Sequence, residues 1–131
     1  MKITMKKLAS LTLALLLLLA LLPSGAKAAV EVASGVCGAE GDNLTWSLNS
    51  AGIMTISGSG VMADYDFDST ELPWANLRDS IRELRIENGV TAIGYYAFKD
   101  CTVLQSVSLP NTLRRIGVGS FWYCYSLTQM T

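Results

Sequence analysis

The 131-residue sequence contains no histidine. Its absence excludes Ser-His-Asp and Cys-His catalysis and histidine-based zinc sites, because each of them needs an imidazole. It also removes the side chain that most often acts as a general base near neutral pH. Nothing marks any two of the eleven acidic residues as a catalytic pair for glycoside hydrolysis. We therefore predict a protein that is not an enzyme and that needs no cofactor.

The first 28 residues have the composition of a secretory signal peptide. Lys2, Lys6 and Lys7 precede the uncharged, mostly apolar run Leu8–Leu22, and Ala26–Ala28 supplies an A-x-A cleavage site. About fifteen apolar residues are short for a membrane span, which needs roughly twenty. We predict cleavage after Ala28 and a secreted or surface-exposed product without a membrane segment. An uncleaved membrane anchor is the alternative.

Basic residues are scarce after the leader. Four of the ten lysines and arginines lie within residues 1–28, which leaves six against eleven acidic residues, a net charge of −5. Nucleic-acid binding requires clustered basic side chains, so we predict no nucleic-acid partner. Arg78, Arg82 and Arg85 alternate with acidic residues, a pattern typical of a solvated mixed-charge face.

The region from residue 81 onward repeats with a period of 23. Apolar residues of the first copy recur in the second as the pairs Ile81/Leu104, Leu84/Val107, Ile86/Leu109, Ile93/Ile116, Phe98/Phe121 and Cys101/Cys124. Repetition at such a period predicts a solenoid, in which stacked units share one core. The predicted repeat core consists of Leu84, Ile86, Ile93, Phe98, Cys101, Leu104, Val107, Leu109, Ile116, Phe121, Cys124 and Leu127.

Each repeat follows the pattern of a leucine-rich repeat. The spacing Leu104-x-x-Val107-x-Leu109 is its L-x-x-L-x-L strand. We expect Gly94 and Gly117 to supply tight or left-handed turns. The apolar residues of 95–104 recur at three- and four-residue steps, which predicts one or two short helical turns. We thus predict an α/β leucine-rich repeat solenoid of about two repeats over residues 81–131.

Residues 29–80 have a different pattern. Alternating apolar residues over Leu44–Leu48 and Met54–Ile56, separated by a turn, predict a β-hairpin with one buried face. We predict that residues 29–80 form a β-rich cap, which repeat arrays need at their ends. Asp64, Asp66 and Asp68 begin like a calcium-binding EF-hand loop, but the required Gly and Glu are missing later in the motif. A solvated acidic loop is the favoured interpretation, and a looser calcium site is the alternative.

The three cysteines are Cys37, Cys101 and Cys124. Three scattered thiols without histidine do not have the spacing of zinc ligands, so we predict no metal site. Cys101 and Cys124 hold equivalent repeat positions, about 5 Å apart on neighbouring rungs. Two small buried thiols are the favoured interpretation, and a disulfide between them is the alternative.

Three aromatic residues of the second repeat form a candidate interaction surface. Trp122, Tyr123 and Tyr125 align with the polar residues of the first repeat and should face outward. Exposed aromatic clusters are typical of protein or sugar binding. Contact with a further repeat is the interpretation that we favour at this stage, because the chain stops six residues later.

Several segments resemble the BspA-like surface proteins. The segments Gly35–Gly38, Leu44–Leu48 and Thr55–Gly60 resemble their N-terminal region, and Glu87–Leu104 resembles their 23-residue leucine-rich repeat. The resemblance implies secreted or cell-surface bacterial proteins, some of them implicated in adhesion. Most members carry many repeats, whereas the second repeat here is barely complete.

Together these patterns predict a non-catalytic, exported protein that binds a protein or cell-surface partner through its leucine-rich repeats. A truncated paralogue without independent function and a carbohydrate-binding module are the alternatives. Because repeat arrays generally need at least three units, we also expect marginal stability and self-association through an open C-terminal edge.

Overall fold

A computed structural model of the chain describes residues 28–131. The predicted signal peptide therefore lies, apart from Ala28, outside the described residues. Between residues 28 and 131, no helix has the length and hydrophobicity needed to cross a lipid bilayer.

Short strands dominate the described part of the chain. In chain order its elements are β1 (Glu31–Gly38), β2 (Gly41–Asn49), β3 (Ile53–Gly58), β4 (Gly60–Val61), a 3-10 helix (Ala75–Ser80), β5 (Glu83–Ile86), β6 (Val90–Ile93), β7 (Ser106–Ser108), β8 (Arg115–Ile116) and β9 (Gln129–Met130). A larger sheet has the strand order β1-β2-β3-β5-β7-β9, and a smaller one has the order β4-β6-β8.

The N-terminal region contains the predicted hairpin. β2 and β3 pair in antiparallel register, with Trp46 opposite Ile56, and their apolar side chains are buried on one face. The sequence analysis missed β1, which pairs with β2 along the outer edge of the sheet. Val32 and Val36 of β1 are exposed, so this strand lacks the buried alternation that marks the other two.

The third strand of the cap, β3, is also the first rung of the stack. β3 pairs in parallel with β5, which places Met54 beside Leu84. The same parallel pairing continues from Leu84 to Val107 and from Val107 to Met130. The predicted equivalence of Leu84 and Val107 is confirmed, and Met54 and Met130 extend their row at its two ends. One sheet therefore joins the cap and the repeats.

An aromatic column runs through the interior. The rings of Phe98 and Phe121 stack with centroids 5.7 Å apart and an interplanar angle of 14°, as their repeat positions predict. Trp74 stacks on the other face of Phe98, at 5.3 Å and 10°, and its Nε1 donates a hydrogen bond of 2.8 Å to the Ala97 carbonyl oxygen. The cap thus contributes the first ring of the column.

The segment after the second strand of each repeat is not a helix, contrary to the sequence prediction. It is a series of turns, each closed by a short-range bond such as Lys99 N to Tyr96 O. Tyr96 and Asp100 have left-handed backbones (φ 56° and 63°), as do their equivalents Gly119 and Tyr123 (φ 66° and 62°). A left-handed residue every four positions interrupts an α-helix while preserving the three- and four-residue spacing of the buried side chains.

A backbone ladder links the turn segments of the two repeats. Its hydrogen bonds run from amides of the first repeat to carbonyl oxygens of the second: Tyr96 N to Val118 O (3.0 Å), Phe98 N to Ser120 O (2.8 Å) and Asp100 N to Trp122 O (2.8 Å). Successive rungs are therefore hydrogen-bonded along the turns as well as along both sheets.

Gly94 and Gly117 allow close approach between rungs. Each begins a tight turn, closed by the bonds from Ala97 N to Gly94 O (3.4 Å) and from Ser120 N to Gly117 O (3.3 Å), but the left-handed alternative is wrong. Neither has a positive φ. A Cβ at Gly94 would overlap the carbonyl oxygen of Ala63, and one at Gly117 would lie 2.7 Å from the amide nitrogen of Tyr95. Glycine is required here because the neighbouring rung's backbone occupies the space of a side chain.

Burial of the predicted core falls from the first repeat to the second. The fully buried members are Leu84, Ile86, Ile93, Phe98, Cys101, Leu104 and Val107. The members that are only partly buried are Leu109, Phe121, Cys124 and Leu127. Ile116, predicted as core, is instead 44% exposed, because no strand of the described residues covers the outer edge of β8.

The aromatic column should dominate stability. Phe98→Ala removes a fully buried ring from between two others and is expected to lower the free energy of unfolding by about 3–5 kcal/mol. Phe121→Ala removes the half-buried ring at the end of the column and should cost less than half as much. Urea unfolding of both variants measures the difference. Equal decreases in the free energy of unfolding would contradict the larger contribution expected of the central ring.

Candidate interaction surface

Five side chains form one aromatic surface, of which four are exposed and Tyr96 is half-buried. Its members are Phe67, Tyr96, Trp122, Tyr123 and Tyr125. Trp122, Tyr123 and Tyr125 are 48%, 47% and 77% exposed, so all three face outward, as repeat alignment predicts. Their role as an interaction surface remains a prediction.

The turn backbone positions these rings. Phe121 points into the column. Trp122 and Tyr123, which follow it, both face outward, and Tyr123 has a left-handed backbone. Gly119 leaves room for the Tyr96 ring, because a Cβ at position 119 would overlap it. The ladder bond from Asp100 N to Trp122 O fixes the backbone beside the exposed indole. The surface is therefore built on a hydrogen-bonded support.

Trp122 packs toward the cap and the first repeat. Its ring centroid lies 5.9 Å from that of Tyr96 and 6.2 Å from that of Phe67, and Phe67 lies 5.7 Å from Tyr96. The interplanar angles within this trio are 65°, 80° and 86°. Tyr123 and then Tyr125 extend the surface, with successive centroid distances of 6.3 and 5.9 Å. Trp122 thus packs on the cap and the first repeat, and contact of these aromatic residues with a further repeat remains a prediction.

Phe67 was not predicted as part of this surface, because it has no equivalent in the repeats. It belongs to the acidic loop of the cap, residues 64–73. Twenty residues separate Met54 from Trp74, whereas fourteen separate the corresponding Leu84 and Phe98. The extra length lets the loop cross the neighbouring rungs and bring Phe67 onto the aromatic surface. Comparing these two spacings could have located the insertion, but not the destination of Phe67.

Lys99 fastens the acidic loop to the repeats. Its Nζ donates hydrogen bonds of 3.1 Å to the Phe67 carbonyl oxygen and to Asp100 Oδ2. The same ammonium lies 4.1 Å from the ring centroid of Phe67 and 5.9 Å from that of Tyr123. Its side chain is only 10% exposed, whereas the equivalent residue of the second repeat, Trp122, is 48% exposed. Hydrogen bonds and two aromatic faces together compensate the lost hydration.

Carboxylates border the aromatic surface. Asp66 and Asp68 flank Phe67 in the chain and are exposed. Asp64 accepts a hydrogen bond of 2.9 Å from Tyr95 N and lies 3.9 Å from Arg115. Within the part of the chain that the structure describes, no three Asp, Glu or Cys side chains are grouped closely enough to hold a metal ion.

The three cysteines are free thiols. Burial raises the pKa of Cys37 to about 12 and, as the main cause, that of Cys124 to about 11. Desolvation likewise raises the pKa of Cys101 above its usual value. The Cys124 thiol donates to the Phe98 carbonyl oxygen at 3.1 Å. All three are therefore protonated near neutral pH and are poor nucleophiles.

Arg78 departs from the predicted mixed-charge face. Arg82 and Arg85 are exposed, and Arg85 pairs with Glu83 at 2.7 Å. Arg78 lies in the 3-10 helix and is half-buried, with Nε and Nη2 inaccessible to solvent and without a hydrogen-bond partner among the described residues. The helix turns this guanidinium toward the interior near Cys101, where burial raises the pKa of the thiol and the positive charge of Arg78 offsets part of that rise.

A shallow groove lies away from the aromatic surface. It has a volume of about 490 Å³ and is lined by Ile86, Glu87, Asn88, Ser108, Leu109 and Pro110. Glu87 is the one ionisable side chain in this lining. The groove therefore lacks the pair of acidic and basic groups that general acid–base catalysis uses.

Comparison with known proteins identifies the repeats. Residues 74–131 match the family described as "BspA type Leucine rich repeat region (6 copies)". The fold is similar to that of a leucine-rich repeat protein from Eubacterium ventriosum, with a TM-score of 0.62 and 29% identity over 75% of this chain and 28% of that one. A leucine rich cell surface protein from Faecalibacterium prausnitzii is 20% identical, with a TM-score of 0.43 over 82% and 31% of the two chains.

The chain thus spans less than a third of the length of either similar structure. No curated protein matches the sequence at a significant level. The leucine-rich repeat fold is supported by both the family match and the first structure, and no catalytic family is indicated.

The Lys99 contact should hold the acidic loop in place. Lys99→Met keeps much of the side-chain volume but removes both hydrogen bonds and the ammonium, so we expect unfolding to become easier by about 1–2 kcal/mol. Chymotrypsin should also cut faster after Phe67. Arg85→Met is the control, since its exposed ion pair contributes little. The contact is unimportant if Lys99→Met behaves like Arg85→Met in both assays.

Proposed function

We propose that the protein is an exported, non-catalytic module that binds a partner protein on a cell surface. The proposal is supported by the match of residues 74–131 to the BspA type leucine-rich repeat family. Leucine-rich repeat proteins generally bind other proteins, and BspA-like members are typically found at cell surfaces. The aromatic surface is the proposed contact region.

The observation that carries this proposal is the continuity of the exposed rings. Phe67, Trp122, Tyr123 and Tyr125 are all exposed and are linked ring to ring. Soluble proteins rarely leave contiguous apolar patches of this kind unless a partner covers them. Tyr and Trp are also the side chains that most often supply the dominant binding energy at protein interfaces.

Rigid support adds to this argument. The aromatic surface rests on hydrogen-bonded turns, and Lys99 ties the acidic loop to them. A preordered surface loses little conformational entropy when it binds, so more of its contact energy remains as affinity.

Two chemical features favour a non-catalytic role. The sequence has no histidine, and burial raises the pKa of each thiol. The protein consequently has neither a usual general base nor an activated thiol nucleophile near neutral pH.

Export is supported by the composition of residues 1–28 and by the position of the first strand. β1 begins at Glu31, three residues beyond the proposed cleavage site after Ala28. Ala28, Ala29 and Val30 are exposed, so cleavage there leaves every strand intact. We propose that the mature cap and repeats, residues 29–80 and 81–131, reach the extracellular side together.

The test of partner binding compares a triple variant of the aromatic surface with a double variant of an exposed apolar site elsewhere. Trp122→Ala, Tyr123→Ala and Tyr125→Ala combined should reduce binding of the purified protein to cell-surface protein extracts by at least about tenfold. Val32→Ala with Val36→Ala removes exposed apolar groups from β1 and should leave binding unchanged. Biosensor measurements before and after proteinase treatment of the extracts, with a glycan array in parallel, provide the readout.

Three results would contradict the proposal. If the triple variant still binds the extracts, the contact region lies outside the aromatic surface. Glycan binding that survives proteinase treatment would instead support a carbohydrate-binding module. A folded protein that binds neither extracts nor glycans would support a truncated paralogue without independent function.

A second proposal concerns self-association through the open end of the stack. Among the described residues, the amides of Gly119, Phe121 and Tyr123 have no acceptor, although their equivalents in the first repeat form the backbone ladder. β9 forms one edge of the larger sheet, and Met130 on it is 46% exposed. An unprotected strand edge beside exposed apolar side chains favours pairing between molecules.

Self-association should be visible by sedimentation velocity as a sedimentation coefficient that rises with protein concentration. Met130→Lys places a charge on the open edge and should weaken the association. Val36→Lys adds the same charge to β1, at the opposite edge of the sheet, and serves as the control. A protein that is monomeric at every concentration would contradict self-association. An effect confined to Val36→Lys would show that the molecules do not associate through β9.

A further inference from the structure

The aromatic surface forms a corner, not a flat platform. Phe67 meets Tyr96 at 86° and Trp122 at 80°, while Tyr96 meets Trp122 at 65°. A sugar ring stacks best on one flat aromatic face. The exposed parts of electron-rich rings such as Trp122 and Tyr125 can instead attract a cation through their π faces.

The protein already holds one cation in this manner. The Lys99 ammonium lies over the Phe67 ring at 4.1 Å and is also bound by a carbonyl oxygen and the Asp100 carboxylate. This internal contact combines an aromatic face with an anionic oxygen. The positive charge of Lys99 is neutralised by Asp100, and the Lys99 side chain is largely shielded from solvent.

The charge that remains at the rim is negative. Asp66 and Asp68 are exposed on either side of Phe67. Neither carboxylate takes part in an ion pair with any residue between 28 and 131. The chain after position 28 has six basic and eleven acidic residues, so its net charge is also negative. A positively charged partner is therefore favoured both locally and at long range.

We propose that the aromatic surface binds a basic segment of a partner protein, whose Lys or Arg side chains lie against Trp122 and Tyr125 and pair with Asp66 and Asp68. This inference rests on the proposed function, since it names the chemistry of the partner that the same surface binds. Cation–π attraction and ion pairing act on the same side chain, so the two effects reinforce each other.

Synthetic peptides test the proposal directly. Isothermal titration calorimetry of the purified protein compares a Lys/Arg-Gly peptide, a Glu-Gly peptide of equal length and a linear oligosaccharide. We expect heat of binding from the basic peptide alone, and an affinity that falls as ionic strength rises from about 0.05 to about 0.5 M. Trp46 and Trp74 are buried, so an accompanying change in tryptophan fluorescence would report mainly on Trp122.

Matched variants locate the contact. Asp68→Asn should weaken binding of the basic peptide about two- to fivefold. Asp42→Asn removes an equally exposed carboxylate from β2 and should leave binding within error of the unmodified protein. Trp122→Ala should weaken it about tenfold. Circular dichroism of each variant verifies that the fold is retained.

Several outcomes would overturn the proposal: no binding of the basic peptide, equal binding of the acidic peptide, preference for the oligosaccharide, or equal effects of Asp68→Asn and Asp42→Asn. Failure of the basic-segment proposal is distinguishable from failure of the proposed function. If the triple aromatic variant loses cell-surface protein binding while the basic peptide does not bind, the surface still binds a protein, but one recognised by other chemistry.

Discussion

Stacking of one rung on the next is the constraint on which the rest of this structure depends. No 23-residue unit is thick enough to bury its own apolar face, so each relies on its neighbour. The stacked rings of Trp74, Phe98 and Phe121 show this dependence along the interior. Parallel strand pairing and the backbone ladder add directional bonds to the same arrangement. Burial therefore decreases toward the end where stacking stops, as the exposure of Ile116 illustrates.

The cap is part of this stack and part of the candidate surface. Through β3 it supplies the first rung, and through Trp74 it supplies the first ring of the aromatic column. Its acidic loop then leaves the repeat pattern and crosses the rungs, where Lys99 holds the backbone of Phe67. Repeating units alone would present similar surfaces on each rung. The inserted loop makes one place on the stack chemically distinct, because it adds an aromatic ring and two free carboxylates there.

Much of the fold was predictable because stacking imposes a period on the sequence. Leu84, Val107 and Met130 lie in one row, and Phe98 lies on Phe121, because equivalent residues of a solenoid must meet. The prediction of helical turns was wrong for a local reason. The three- and four-residue spacing of apolar side chains is shared by an α-helix and by a chain of turns, and only the left-handed backbone of Tyr96 and its equivalents distinguishes them.

The sequence by itself determined the repeat period, the inward position of Phe98 and the outward position of Trp122, since each follows from one-dimensional spacing. Only the tertiary structure decided that Phe67 joins Trp122 and that Lys99 is buried against the rings of Phe67 and Tyr123. These contacts arise from an insertion that has no equivalent in the repeats. Its destination depends on the path of the loop through space and not on any periodicity, so residues more than thirty positions apart meet without a pattern to predict it.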